Sequence, residues 1–197
     1  MRLACIGDSL TEGDYGIKGK RGIANVQKEG YPYYLAQMLG CEVQNFGKCG
    51  FRSTDMLRYY DAGNVNVRRA DAVLLLLGTN GGQDPETDTP DNEAYLTLIS
   101  RIRRDAPGAK LILLTPPHAT SDPVWSNCGY APQVEKAVEF VRKVAAEKSL
   151  PLIDLRADLR LQSGFESWFQ SNDGLHCTSL GYQKMAERVY LYFKHMQ

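Results

Sequence analysis

The chain has 197 residues, enough for one domain (1–197) with a substantial core. Hydrophobic residues make up 43% and charged residues 23%, the mix of an ordinary globular protein rather than a disordered or membrane-embedded one. Lys plus Arg equal Asp plus Glu at 23 each, so the chain lacks the basic field that a nucleic-acid partner requires, and no run nears the roughly 18 apolar residues of a membrane span.

Strand-like and helix-like patterns alternate along the chain. Leu3 to Ile6 reads as a first strand. Tyr31 to Leu39 reads as a helix, entered from Gly30 and stopped by Gly40. Glu42 to Phe46 is a short second strand. Ala72 to Leu77 is a continuous apolar run, as expected of a strand buried on both faces. Lys110 to Leu114 is a fourth strand, stopped by Thr115-Pro116-Pro117, and Leu150 to Leu155 is a fifth. Three helical stripes fall between or after them: Tyr95, Leu98, Ile99 and Ile102; Val134, Ala137, Val138, Val141, Val144 and Ala145; Tyr182, Met185, Ala186, Val189 and Phe193. Alternating strands and helices imply crossovers and a parallel sheet. The expected fold is α/β: a three-layer α/β/α sandwich with a five-stranded parallel sheet in flavodoxin-like order.

In such sheets, ligands bind beyond the carboxyl ends of the strands. Five polar segments meet there: Gly7 to Gly13, Asn45 to Gly50, Gly78 to Gly82, Pro116-Pro117-His118 and Asp173 to His176. Ser9 stands at a strand-to-loop turn, and His176 has an acid, Asp173, three residues upstream. A serine hydroxyl needs an adjacent base to attack, an imidazole can take its proton, and a carboxylate can hold the imidazole in one tautomer. Each residue also has a plain reading: a turn or N-cap serine, a helix-start histidine, an Asx-turn aspartate. Cys49 and Cys177 flank the same segments and leave a Cys–His pair as an alternative.

Gly7-Asp8-Ser9-Leu10, Asn45-x-Gly47-x-x-Gly50, Gly78-x-Asn80 and Asp173-x-x-His176 resemble, in order, the four sequence blocks of the SGNH (GDSL) hydrolase family. The tail His176-Cys177-Thr178-Ser179-Leu180-Gly181-Tyr182 resembles that family's entry into its final helix. The resemblance implies a serine esterase with Ser9 as nucleophile, His176 as base and Asp173 as its orienting acid. It also implies an oxyanion hole from the N–H groups of Ser9 and Gly47 and the amide of Asn80. No metal and no cofactor is implied. Gly81 stands where the family often has an aspartate, which puts the local loop geometry in question, and Asp8 is expected to fix the turn through backbone bonds.

Three long loops border the strand ends. Asp14 to Gly30 carries Lys18, Lys20, Arg21 and Lys28; Gly81 to Asn92 is acidic; His118 to Ala131 carries Trp125 and Tyr130. His118 and Trp125 are the candidate substrate contacts. Few aliphatic residues are available to line an acyl-chain tunnel, which favours short acyl groups such as acetate on a polar alcohol, for example a sugar. The expected partner is therefore a small-molecule ester, with no nucleic acid and no membrane insertion; the oligomeric state stays open. A lysophospholipase or thioesterase of the same family, or a non-catalytic flavodoxin-like binding module, are the alternatives. Five scattered cysteines without C-x-x-C spacing and an opening apolar stretch too short for a signal-peptide core point to the cytoplasm. A secreted form with its leader removed stays open.

Overall fold

The computed structural model describes residues 1–13, 30–169 and 173–195. The lysines and arginine expected in the first long loop lie outside the described residues. Five strands form one sheet: β1 (Arg2–Gly7), β2 (Glu42–Gly47), β3 (Ala72–Leu76), β4 (Lys110–Leu114) and β5 (Leu152–Ile153). Their order is β2-β1-β3-β4-β5, and every pairing is parallel. The helices are α1 (Ser9–Glu12), α2 (Tyr31–Leu39), α3 (Ser53–Tyr59), α4 (Pro90–Asp105), α5 (Ala131–Glu147), α6 (Leu155–Arg160) and α7 (Ser179–Lys194). Among the described residues, no helix is long and apolar enough to cross a membrane.

Strand alternation divides the core in two. Leu3, Cys5, Leu74, Leu76, Ile112 and Leu114 face one layer, where Tyr31, Leu35, Leu155, Leu159, Tyr182, Met185 and Val189 cover them from α2, α6 and α7. Ala4, Ile6, Val73, Leu75, Leu111 and Leu113 face the other, beneath Met56, Tyr95, Leu98, Ile99, Phe140 and Val141 from α3, α4 and α5. A strand covered on both faces can be apolar at every position, which is why β3 reads as an unbroken run. The expected sandwich and strand order are both present.

Two departures have local causes. The fifth strand is two residues long, because Asp154 turns the chain into α6. Its Oδ1 accepts the Ala157 N–H and the Thr115 hydroxyl, each at 3.0 Å, and Arg142 Nε donates to Oδ2 at 2.8 Å. Leu155 therefore enters the core from a helix. Helix α3 was not anticipated; it is a short helix of about two turns, started by the Arg52 N–H donating to Asp55 Oδ2 at 3.1 Å, with Met56 as its fully buried apolar residue.

Leu75, on the central strand, has no exposed surface. Truncating a buried leucine removes transfer free energy and leaves a cavity. Leu75→Ala is expected to lower the unfolding free energy by about 2–5 kcal/mol, seen as a lower urea midpoint with an unchanged denaturant slope.

Candidate active site

The turn after β1 is built around crowding. A Cβ on Gly7 would lie 2.1 Å from Thr11 Oγ1 and 2.4 Å from the Leu76 carbonyl, so only glycine lets β1 and β3 close on the turn. Asp8 then takes the extended N-cap conformation, and its Oδ1 accepts the Leu10 N–H at 3.0 Å. The expected turn-fixing role of Asp8 is thus present. Helix α1 is a single turn, closed by Gly13 at φ +96°. Ser9 is its first residue, 2% exposed, and its N–H has no acceptor among the described residues, as befits the open end of a helix.

Ser9 and His176 lie 167 positions apart in the chain, yet Ser9 Oγ is 2.9 Å from His176 Nε2. The other ring nitrogen, Nδ1, is 2.5 Å from Asp173 Oδ2. Asp173 Oδ1 meanwhile accepts the N–H groups of Leu175 and His176, both at 2.9 Å. Burial raises the Asp173 carboxyl, but the His176 ring and these two N–H groups more than offset it, leaving the group below the usual carboxylate value. An ionised Asp173 favours the tautomer with the proton on Nδ1, which leaves Nε2 able to accept from Ser9. The three sequence-predicted residues are brought together.

Of the other expected groups, Asn80 lies in the turn after β3. One of its two amide protons is donated to the Phe51 carbonyl at 2.9 Å, and an amide NH2 has a second to offer. Gly47 corrects the expectation. Its N–H is donated to Asn45 Oδ1 at 2.8 Å, and a Cβ there would lie 2.1 Å from Glu12 N. Its role is close packing of β2 against α1. Further along the same loop, Lys48 N–H donates to the Gly7 carbonyl at 3.0 Å, Cys49 N–H to Glu12 Oε2 at 2.6 Å and Phe51 N–H to the Lys48 carbonyl at 3.2 Å. Gly50 N–H donates to no acceptor among the described residues. Gly50 is also exposed and left-handed at φ +79°.

The loop from 118 to 131 is sewn to the histidine turn. Thr120 N–H donates to the Gly174 carbonyl at 3.0 Å and Asn127 N–H to the Asp173 carbonyl at 3.2 Å. Trp125 lies over Gly174, where a Cβ would come 2.8 Å from Trp125 Cβ. Trp125 therefore borders the site. His118 is engaged elsewhere: Arg156 Nη1 donates to its Nδ1 at 2.6 Å, and Phe165 packs edge-on to its ring. Burial, then the charges of Arg156 and Arg160, bring its pKa down to about 4, so it is neutral at pH 7. These groups, with Glu135, Thr120 and Ser121, line a cavity of about 360 Å³ beside the histidine turn. Cys177 is fully buried, its Sγ 3.6 Å from Met185 Sδ, and burial pushes its thiol well above the usual value. That disfavours the thiolate a cysteine nucleophile needs.

The sequence reading missed the braces behind the site. Asp91 Oδ1 accepts both the N–H and the hydroxyl of Thr54, at 3.0 and 3.1 Å, and Gln83 Nε2 donates to Ser53 Oγ at 2.6 Å. The first holds α3 to α4 and the second holds it to the loop after β3. Their sequence signal was weak, a lone aspartate in the first turn of α4 and a glutamine after two glycines.

Asp8 has no exposed surface, and burial pushes its pKa up to about 6, against the Leu10 N–H that favours the carboxylate. Between the unfolded value near 3.8 and about 6, the folded chain holds a proton the unfolded chain releases, so this group's contribution to stability falls as pH rises through that window. Asp8→Asn keeps the capping oxygen without the charge. The melting temperature of Asp8→Asn relative to wild type is expected to rise from pH 4.5 to pH 8; an unchanged difference at the two pH values overturns the assignment.

Residues 5–184 match the GDSL-like Lipase/Acylhydrolase family. The chain is 28% identical to an acetylxylan esterase of Xylanibacter ruminicola, over 96% of this chain and 42% of that protein. It is 27% identical to an isoamyl acetate-hydrolyzing esterase of Schizosaccharomyces pombe, over 95% of this chain and 73% of that protein. It thus spans under half the length of the first relative and about three quarters of the second. The fold is shared with a lipase/acylhydrolase from Enterococcus faecalis, at a TM-score of 0.76, 23% identity, and coverage of 99% of this chain and 96% of that one. A carbohydrate acetylesterase family member from Sinorhizobium meliloti superposes at a TM-score of 0.72 and 18% identity, over 99% of this chain and 98% of that one. With four motifs on one sheet edge and a family match over nearly its whole length, the chain belongs to the GDSL-like lipase/acylhydrolase family.

Proposed function

We propose that the protein is a serine esterase that hydrolyses short-chain, chiefly acetyl, esters of a polar alcohol through an acyl-enzyme. The observation that carries this is the hydrogen-bonded line Asp173–His176–Ser9, at 2.5 and 2.9 Å. In the proposed cycle, Ser9 Oγ attacks the ester carbonyl while its proton passes to His176 Nε2. Asp173 stabilises the imidazolium that forms without taking its proton. The tetrahedral oxyanion is held by the N–H groups of Ser9 and Gly50 and the second amide proton of Asn80. Collapse breaks the C–O bond, His176 returns the proton to the departing alcohol, and an acyl-serine remains. Water then attacks with His176 again as base, and the acid and free Ser9 are released.

Two features support a small acyl group. Both named relatives bear an acetyl ester in their names, and the loop over the histidine turn (118–131) has Val124 as its one branched aliphatic residue. We place the alcohol against Trp125, and propose that the whole chain works as one unit on a small-molecule ester. Five free cysteines support a reducing, cytoplasmic setting.

Wild type is expected to hydrolyse p-nitrophenyl acetate and to take one fluorophosphonate adduct by intact mass, and Ser9→Ala to lose both. Rates should fall steadily from acetate to octanoate; a preference for octanoate overturns the short-chain reading, and wild type that neither turns over nor labels overturns the esterase. Asn80→Ala is expected to lower kcat about 100- to 1,000-fold, roughly 3–4 kcal/mol, with KM little changed. Unaltered turnover would remove Asn80 from the oxyanion hole.

A further inference from the structure

The loop that carries Gly50 is fastened at both ends by the sheet edge. Lys48 N–H donates to the carbonyl of Gly7, at the end of β1. The Phe51 carbonyl accepts from Asn80, beyond the end of β3. Between these points lie the peptide groups of Cys49 and Gly50. A Cβ on Gly50 would meet nothing within 4 Å, so no side-chain packing at Gly50 itself fixes its peptide. The direction of the Gly50 N–H is set by the backbone angles of Cys49; the Phe51 N–H, donating to the Lys48 carbonyl at 3.2 Å, closes the turn around them, and the Cys49 N–H ties that turn to the rest of the site.

That tie is Glu12. Its Oε2 accepts the Cys49 N–H at 2.6 Å. Glu12 is the last residue of α1, the turn whose first residue is Ser9. Asn45 reinforces the same junction by donating Nδ2 to the Thr11 carbonyl at 2.8 Å. The nucleophile and the loop opposite it are thus mounted on one helical turn. An error in one is carried to the other, and the separation between Ser9 Oγ and the Gly50 N–H is held as a unit.

We propose that Glu12 is a positioning residue for acyl transfer: by holding the Cys49 N–H it aims the Gly50 N–H at the oxyanion. The inference rests on the esterase reading. Glu12 acts here as a hydrogen-bond acceptor, and neither its charge nor a proton on it takes part in the chemistry. A glutamine, whose carbonyl oxygen accepts in the same place, should therefore serve. An alanine cannot, and an aspartate is one methylene too short.

The test compares Glu12→Ala, Glu12→Asp and Glu12→Gln on p-nitrophenyl acetate, with inhibition by phenylboronic acid, whose serine adduct is tetrahedral. Transition-state mimics follow the catalytic step where substrate affinity does not. Alanine and aspartate are expected to lower kcat about tenfold or more, to leave KM within about threefold, and to weaken boronate inhibition in step with kcat. Glutamine is expected to restore most of both. Because Glu12→Ala leaves the Cys49 N–H without this acceptor, aspartate supplies the reading if alanine fails to fold. Three results overturn the proposal: kcat unchanged in alanine and aspartate, boronate inhibition unmoved while kcat falls, or glutamine as poor as alanine. Absence of turnover in wild type would instead overturn the esterase reading itself.

Discussion

The position of β1 between two parallel neighbours is the constraint on which the site depends. From β1 the chain moves outward to β2, then returns across it to β3, and the loops leaving β1 and β3 diverge to open a crevice at their carboxyl ends. Ser9 leaves β1 into that crevice, and Asn80 enters it from β3. Gly7 is where the constraint is tightest, since the Leu76 carbonyl and Thr11 leave its Cα no room for a side chain. The last helix then packs along α2 on the same face. That contact carries His176 back across 167 positions to Ser9. The hydrophobic layers thus fix the chemical distances, and no local bond between residue 9 and residue 176 could do so alone.

The site's polar side chains each hold backbone as well as face a reactive group. Asp173 uses one oxygen to tie the turn that carries His176 and the other to hold the ring. Ring and turn therefore cannot move separately. Asn80 donates one amide proton to the Phe51 carbonyl and keeps one in reserve. Asp8 caps the helix that bears Ser9 but lies wholly buried, so its charge opposes folding at neutral pH. Near the nucleophile, capping has been retained at the expense of stability. Such local conflicts are common where a backbone must hold a strained or exposed reactive group.

Most of the fold was legible in the sequence because its long elements carry a period. β3 and β4 read as apolar runs, and α4, α5 and α7 show stripes that all prove buried. The short elements carried no such signal. Helix α3 buries one large apolar side chain, and α6 shares Leu155 with the run assigned to β5, so length and capping decided them rather than pattern. At the site, Ser9, His176 and Asp173 were legible because their chemistry resides in side chains whose spacing is visible. The third oxyanion donor we propose was not. It is a backbone N–H, and nothing in Asn45-x-Gly47-x-x-Gly50 says which glycine's N–H is already taken. The Asn45 side chain decides it by accepting the first.

The glycine at position 81, where an aspartate is common in the family, has a steric cause visible only in three dimensions. Gly81 and Gly82 are both left-handed, at φ +77° and +92°. A Cβ on Gly81 would fall 2.4 Å from Gln133 Oε1, and one on Gly82 would fall 1.9 Å from Asp91 Oδ2. The Gln133 side chain of α5 therefore stands where a side chain at 81 would have stood. The bracing of α3 falls instead to Asp91 of α4 and Gln83 of the loop, which bind Thr54 and Ser53. Because Asn80 directly precedes this double-glycine turn, its amide depends on a backbone conformation that other residues adopt only under strain. The placement of the Asn80 amide is thus set from behind by small residues, just as the Cys49 peptide is tied from the front to α1.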